Sequence, residues 1–193
     1  MFPLHDSLTD TLREELREYD DLTAALLARR GIVTKENAEK FLHPSYDLHL
    51  YDPLIMTDME KAAKRLARAI LSGERIAVWS DYDCDGIPGA TLMHDFLEKV
   101  GANFENYIPH RHLEGYGMNS GGVEKLAKNG VTLIVTIDSG ITDVDPVARA
   151  NELSIEVIVT DHHLPQEILP KAYAVVNPNA RIDEPYPFRG LCG

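Results

Sequence analysis

Short apolar, β-rich runs alternate with segments of helical spacing over residues 75 to 176. Strands are expected at Arg75 to Ser80, Phe104 to Ile108, Val131 to Ile137, Glu156 to Thr160 and Tyr173 to Val176. Between them, Leu92, Met93, Phe96 and Leu97 give Ala90 to Val100 a helical face, after a turn at Gly86-Ile87-Pro88-Gly89. Asn119 or Ser120 caps a helix through Lys128, and another runs from about Asp143 to Leu153. Such alternation predicts an α/β fold: a doubly wound, mainly parallel five-stranded sheet flanked by helices and joined by right-handed crossovers.

The first 45 residues read differently. Leu8, Leu12 and Leu16 recur at helical spacing, and Leu22, Leu26 and Leu27 continue an apolar stripe up to Gly31. Thr34 then caps a segment through Leu42, with Pro44 beyond its end. Residues 46–56 form a connector. Thr57 or Asp58 opens a helix through about Leu71, with Met59, Ala62, Ala63, Leu66 and Ile70 on one face and Lys61, Lys64, Arg65 and Arg68 on a solvated basic face. The expected organisation is a small helical lead-in over residues 1–56 and an α/β domain over 57–193. After Pro178 the chain is turn-rich, and its stop at Leu191-Cys192-Gly193 reads as unfinished.

Composition narrows the picture. With 193 residues and 44% hydrophobic content the chain can bury a respectable core. No apolar run of about 18 residues exists, and the start Met1-Phe2-Pro3-Leu4 lacks the features of a signal peptide, so a soluble cytoplasmic protein is expected. Cys84 and Cys192 supply no disulfide framework. A net charge of −12 opposes generic nucleic-acid binding, which draws its affinity from Lys and Arg.

The chemistry collects at three strand ends. The first strand runs into Asp81-Tyr82-Asp83-Cys84-Asp85-Gly86, whose carboxylates, if the strand continued, would crowd one side and call for cations. The third strand delivers Asp138, and the fourth delivers Asp161-His162-His163. Consecutive side chains at a strand end diverge, so those last three cannot share one core. Parallel sheets present the carboxyl ends of their strands together, so the three sets converge. Bland alternatives stand beside each. Asp-x-Asp-x-Asp-Gly also opens an EF-hand loop, although the required position-12 Glu falls on Leu92. Asp138 could cap a helix. His110, Arg111 and His112 could be solvated loop residues or phosphate contacts, and Tyr116 could stack a base.

Taken in order, Ser80–Gly86, Pro109-His110-Arg111 with Glu114-Gly115-Tyr116-Gly117-Met118-Asn119, Thr136-Ile137-Asp138-Ser139-Gly140, Thr160-Asp161-His162-His163 and Val176-Asn177-Pro178 resemble the DHH phosphoesterase superfamily, and within it the RecJ-type single-strand-specific exonucleases. The resemblance implies two divalent ions, Mn²⁺ preferred and Mg²⁺ acceptable, about 4 Å apart and activating a water for phosphodiester hydrolysis. By the same resemblance Asp83 and Asp85 are ligands, Asp138 bridges the ions, and His162 completes one shell. His163 faces the scissile phosphate, and Asp161 orients an imidazole. Asp81 is a ligand or an outer acceptor. Arg111 and Tyr116 join His163 as substrate contacts.

The implied activity is 5′→3′ hydrolysis of single-stranded DNA in repair or recombination. DNA is the expected partner, joined by a single-strand-binding protein or a helicase, and no membrane is involved. Family members carry a further metal-ligating aspartate and a substrate-binding domain downstream, and neither occurs in these residues. Two other functions compete: a phosphodiesterase for linear or cyclic dinucleotides, or pyrophosphatase-like chemistry, which the acidity favours, and a catalytically silent replication or repair scaffold.

Overall fold

A computed structural model describes residues 8–193, and within it the chain divides into two compact units between Tyr51 and Asp52. That division lies five residues before the expected one, because Asp52 already caps a 3₁₀ turn at Pro53–Ile55 that packs against the following helix.

The first unit holds α1 (Asp10–Glu15), α2 (Asp21–Arg29), α3 (Lys35–Leu42) and the single turn α4 (Tyr46–His49). Each of the first three starts on a capping side chain, Thr9, Asp20 and Thr34, which satisfies amides that have no partner inside the helix. Leu16, Ala24, Leu27 and Ala38 form the unit's small core. Leu22 and Leu26, expected in the apolar stripe, are exposed instead. The buried face of α2 runs through Ala24 and Leu27, three residues apart and so one turn along the same face.

In the second unit α5 (Met59–Leu71) leads into β1 (Arg75–Ser80), α6 (Gly86–Lys99), β2 (Phe104–Tyr107), α7 (Ser120–Lys128), β3 (Val131–Ile137), α8 (Val144–Glu152), β4 (Glu156–Thr160) and β5 (Ala174–Val176). All strand pairs are parallel, in the order β2-β1-β3-β4-β5. The expected doubly wound five-stranded α/β sheet is thus the observed one. Trp79, Ile134, Val157 and Val159 meet Val123 and Leu126 of α7 and Val147 and Ala150 of α8 in the main core. The alternate positions of the strands turn to the other face, where Gly89 of α6 lies against Ile137. Between β4 and β5 the alternation fails: residues 161–173 are a loop without a helix, punctuated by Pro165 and Pro170.

Several local expectations are corrected. α6 begins at Gly86, so Gly86–Gly89 is its first turn; Pro88 fits there because amides in a first turn have no helical acceptor. Asp58 does precede α5, but with φ of 64° and no capping bond; its carboxylate accepts instead from the Val175 amide and faces Arg181. Arg65, expected in solvent, is 4% exposed, and Ala63, expected inside, is exposed. Arg65 stands three residues after the buried Ala62 and so shares its face, with Glu74 and Glu156 holding its charge. Among the described residues no helix is long and apolar enough to cross a membrane.

Candidate active site

The strand order reverses direction between β1, whose chain leaves toward β2, and β3, which returns on the other side. A crevice forms at the carboxyl ends of such a pair. β1 delivers Asp81 there and β3 delivers Asp138, with the Asp81 amide still donating to the Ile137 carbonyl at 3.3 Å.

The acidic triplet is not a strand continuation. β1 stops at Ser80, and the Asp83 Oδ1 folds back to accept from the amides of Asp85 (2.8 Å) and Gly86 (3.0 Å), turning the chain into α6. Gly86 is obligatory in this turn, since a Cβ would stand 2.6 Å from the Asp81 carbonyl oxygen. Asp81 is buried with Oδ1 lacking a hydrogen bond, whereas Asp83 is exposed and Asp85 half-buried. The two amide bonds hold the Asp83 carboxyl below its ordinary range.

Asp138 is 1% exposed and its φ is 58°, left-handed backbone that a non-glycine residue rarely adopts. Its amide donates to the Thr160 carbonyl at 3.0 Å. Just upstream, Thr136 donates to the Ser139 carbonyl at 2.7 Å, and Gly140 (φ 108°) passes so close that a Cβ would stand 2.8 Å from the Thr136 hydroxyl. Burial, then the charges of Asp85 and Asp83, push the Asp138 carboxyl up to about 6, against opposing pulls from His162 and His163. No helix cap is involved: α8 starts six residues later, with Asp143 before it.

After β4, Asp161 points inward and His162 and His163 outward to increasing degrees. The Asp161 Oδ1 accepts from the amides of His162 (2.7 Å) and His163 (3.1 Å) and lies 2.7 Å from the His163 Nδ1, while Oδ2 accepts from the Ile141 amide at 2.9 Å. Burial opposes a charge on His163, but the Asp161 hydrogen bond and the charges of Asp161, Asp138 and Asp81 outweigh it, so the imidazole is raised above its ordinary value. His162 Nδ1 faces the Leu191 carbonyl at 2.8 Å. A carbonyl only accepts, so Nδ1 carries a proton, and Nε2 points at Asp138 Oδ1 (3.2 Å) and Asp85 Oδ2 (3.5 Å).

Such a convergence of potential ligand atoms fits a cation. Asp138 Oδ1 is buried with no well-directed hydrogen bond, like Asp81 Oδ1. Two overlapping sets, Asp138/His162/His163 and Asp81/Asp83/Asp138, bring one potential ligand atom from each member within 4.8 Å of the others. Asp138 belongs to both. Oxygen mixed with imidazole suits Mn²⁺.

The substrate-contact candidates lie around this cluster. The Arg111 guanidinium stacks 5.0 Å over the ring of Tyr82, the residue between Asp81 and Asp83, which sets it at the rim. His110 and His112 are exposed, 6.0 Å apart. Glu114 anchors their loop by accepting from the His110 amide (2.7 Å) and from the Tyr107 hydroxyl. Tyr107, stacked on Trp79 at 4.2 Å, is pushed up to about 12 by burial and by Glu114. Tyr116 is 47% exposed and its hydroxyl donates to the Asp138 carbonyl at 3.1 Å.

Other groups that shape the site carried no such role in the sequence reading. Asn177 is fully buried and donates to the His163 carbonyl (3.0 Å), and Asn179 donates to the His162 carbonyl (2.6 Å). The Gly193 amide donates to Asp85 Oδ2 at 3.2 Å, and a Cβ there would collide with Asp138. An Asn-Pro-Asn turn after a strand was the available signal for the asparagines; the Leu191 and Gly193 contacts are made by backbone and leave none.

Comparison with known proteins places these features. The model of the DHH family, N-terminal domain, matches residues 75–185. Single-stranded-DNA-specific exonuclease RecJ of Bacillus subtilis is 41% identical over 175 residues, covering 89% of this chain and 22% of that protein. Its namesake in Escherichia coli is 35% identical over 189 residues, covering 94% of this chain and 32% of that protein. The chain therefore spans well under half the length of these curated relatives. Among solved structures, exonuclease RecJ bound to manganese superposes with a TM-score of 0.64 at 36% identity, over 69% of this chain and 34% of the other. RecJ from Thermus thermophilus in complex with Mn²⁺ gives 0.63 at 29% identity, over 90% and 24%. With a carboxylate-imidazole cluster at the switch point of a five-stranded parallel sheet and a family match over most of its α/β unit, the chain belongs to the DHH family.

Proposed function

We propose that the chain is the catalytic part of a metal-dependent 5′→3′ exonuclease acting on single-stranded DNA. The observation that carries this reading is the pair of buried, unbonded carboxylate oxygens on Asp81 and Asp138 beside the His162 Nε2, in the crevice at the switch point of the sheet. Curated relatives named as single-stranded-DNA-specific exonucleases, and a relative solved with manganese, support the substrate and the ion. Asp83, Asp85, Asp138 and His162 would hold two divalent ions, Asp138 being common to both candidate ligand sets, with Asp81 as a further ligand or outer acceptor; Mn²⁺ is preferred and Mg²⁺ acceptable. Ions held there would supply an activated water for phosphodiester hydrolysis and offset phosphate charge.

The residues divide the remaining work. Asp161 fixes the His163 ring through Nδ1, so the raised imidazole can meet a phosphate as a cation. Arg111, on the Tyr82 face, offers a fork of donors to phosphate oxygens. The exposed part of the Tyr116 ring offers a stacking surface for a base. The unit from Asp52 onward would form the phosphoesterase domain, with the helices before it as its lead-in. Such an enzyme would serve DNA repair and recombination in the cytoplasm, with a single-strand-binding protein or a helicase presenting the strand.

The test is Mn²⁺-dependent release of nucleotides from 5′-phosphorylated single-stranded DNA by the 193-residue chain, with Asp138→Ala as the control. Turnover that falls by about 10³-fold or more in the control supports the reading. Equal turnover in both proteins overturns the assignment of Asp138.

A further inference from the structure

The left-handed turn at Asp138 needs an outside hold, because a non-glycine residue keeps φ of 58° only where its surroundings over-determine it. The Asp138 amide is held by Thr160. Its carbonyl is held by Tyr116 alone among the described hydrogen bonds: a carbonyl only accepts, so the tyrosine hydroxyl donates, over 3.1 Å. The same hydroxyl oxygen stands 3.3 Å from the His163 Nδ1, the nitrogen bonded to Asp161.

Tyr116 is placed by its own loop. Gly115 (φ 83°) and Gly117 (φ 75°) flank it in left-handed backbone. Asp143 closes the loop from the other side, its Oδ2 accepting from the Met118 amide at 2.7 Å. Its carboxylate packs where a Cβ on Gly117 would come within 2.8 Å. Asp143 is itself tied to the turn after Asp138, since its amide donates to the Gly140 carbonyl at 3.1 Å. The circuit therefore runs from Asp138 through Gly140 and Asp143 to the glycine loop, and returns through the Tyr116 hydroxyl.

The geometry points to Tyr116 as a positioning residue: its hydroxyl holds the left-handed backbone that delivers the Asp138 carboxylate to the metal cluster, and Asp143 keeps that hydroxyl in place. The inference rests on the proposed role of Asp138 as a ligand. It concerns the hydroxyl, whereas base stacking uses the ring, so Tyr116→Phe separates the two.

Three readouts on the 193-residue chain decide it. Without DNA, Tyr116→Phe should weaken Mn²⁺ binding, measured by calorimetry, about 5- to 10-fold, the worth of one net hydrogen bond. Hydrogen exchange at the Asp138 amide should accelerate by a similar factor in the metal-free protein, since the left-handed residue between the amide and the freed carbonyl is then held from one side only. With 5′-phosphorylated single-stranded DNA, kcat should fall while KM changes less than about twofold. Asp143→Ala should weaken Mn²⁺ binding in the same direction, and the double variant should lose less than the product of the two factors, because both break one circuit.

Unchanged Mn²⁺ affinity and unchanged exchange in Tyr116→Phe overturn the inference, as does a rise in KM alone. A chain that binds Mn²⁺ but cleaves no DNA refutes the exonuclease reading and leaves the first two readouts to decide Tyr116. A chain that binds no Mn²⁺ overturns both.

Discussion

Arg65 lies almost without solvent on the buried face of α5, its Nη2 2.7 Å from Glu74 and its Nε 2.5 Å from Glu156. Burial opposes its charge, but the two carboxylates outweigh that and hold the guanidinium above its ordinary value. Glu74 is held below its ordinary range by Arg65 first, then, against burial, by the Thr132 hydroxyl. Its folded-state pKa is therefore depressed, so its stabilisation is present above the unfolded value, near 4.5, and is lost as pH falls through the folded one. Glu74→Gln should cost about 1–3 kcal/mol near neutral pH, and that deficit should shrink in acid. Melting temperatures of both proteins from about pH 7 to about pH 3.5 check this; a constant gap removes Glu74 from the acid response. The buried triad was hidden in the sequence because Lys61, Lys64 and Arg68 surround Arg65 and read as one solvated face. The site residues were more legible, since carboxylates and imidazoles at the ends of apolar runs have few places to go. What could not be read was the folding of Asp83 back onto its own turn, which is set by two amide bonds rather than by periodicity.

On the scale of elements, α7 governs how closely the helical layer approaches the sheet. Its Gly122 faces Trp79 of β1 directly: a Cβ would overlap the indole and stand 2.8 Å from the Tyr107 hydroxyl. Gly122→Ala should push α7 outward and cost about 1–3 kcal/mol of stability in a denaturant titration, while an unchanged midpoint would mean that the layer yields freely. Strands were the most readable elements, because uninterrupted apolar, β-branched runs bounded by polar residues have one reading. Helix starts were less so. α6 gathers Gly86, Pro88 and Gly89, all breakers in isolation, into a first turn that Asp83 and the close approach to Asp81 make workable.

For the molecule as a whole, charge and sheet order say different things. The order β2-β1-β3-β4-β5 fixes where a ligand meets the protein; alternation of elements foretold the parallel sheet but not the order of its strands. The net charge of −12 offers little to a DNA backbone beyond Arg111 and its neighbours. If about three phosphates are neutralised, the logarithm of the affinity for single-stranded DNA should fall against the logarithm of salt with a slope of about −2. Anisotropy of a labelled strand, measured with Mn²⁺ present under non-cleaving conditions, gives that slope. A value of about −5 would mean that more cations than Arg111 and its neighbours join the contact, such as the exposed Lys61, Lys64 and Arg68 of α5.

Trp79 is the single tryptophan, fully buried and stacked on Tyr107 in the strand that ends at the acidic turn. Nature has thus fitted the chain with one fluorophore of its kind, and only in the unit that begins at Asp52. Its emission follows the melting of that unit and is blind to the helices before it, whereas far-ultraviolet ellipticity sums over both. Overlaying the two optical traces on heating therefore tells whether the chain comes apart in one cooperative step or two.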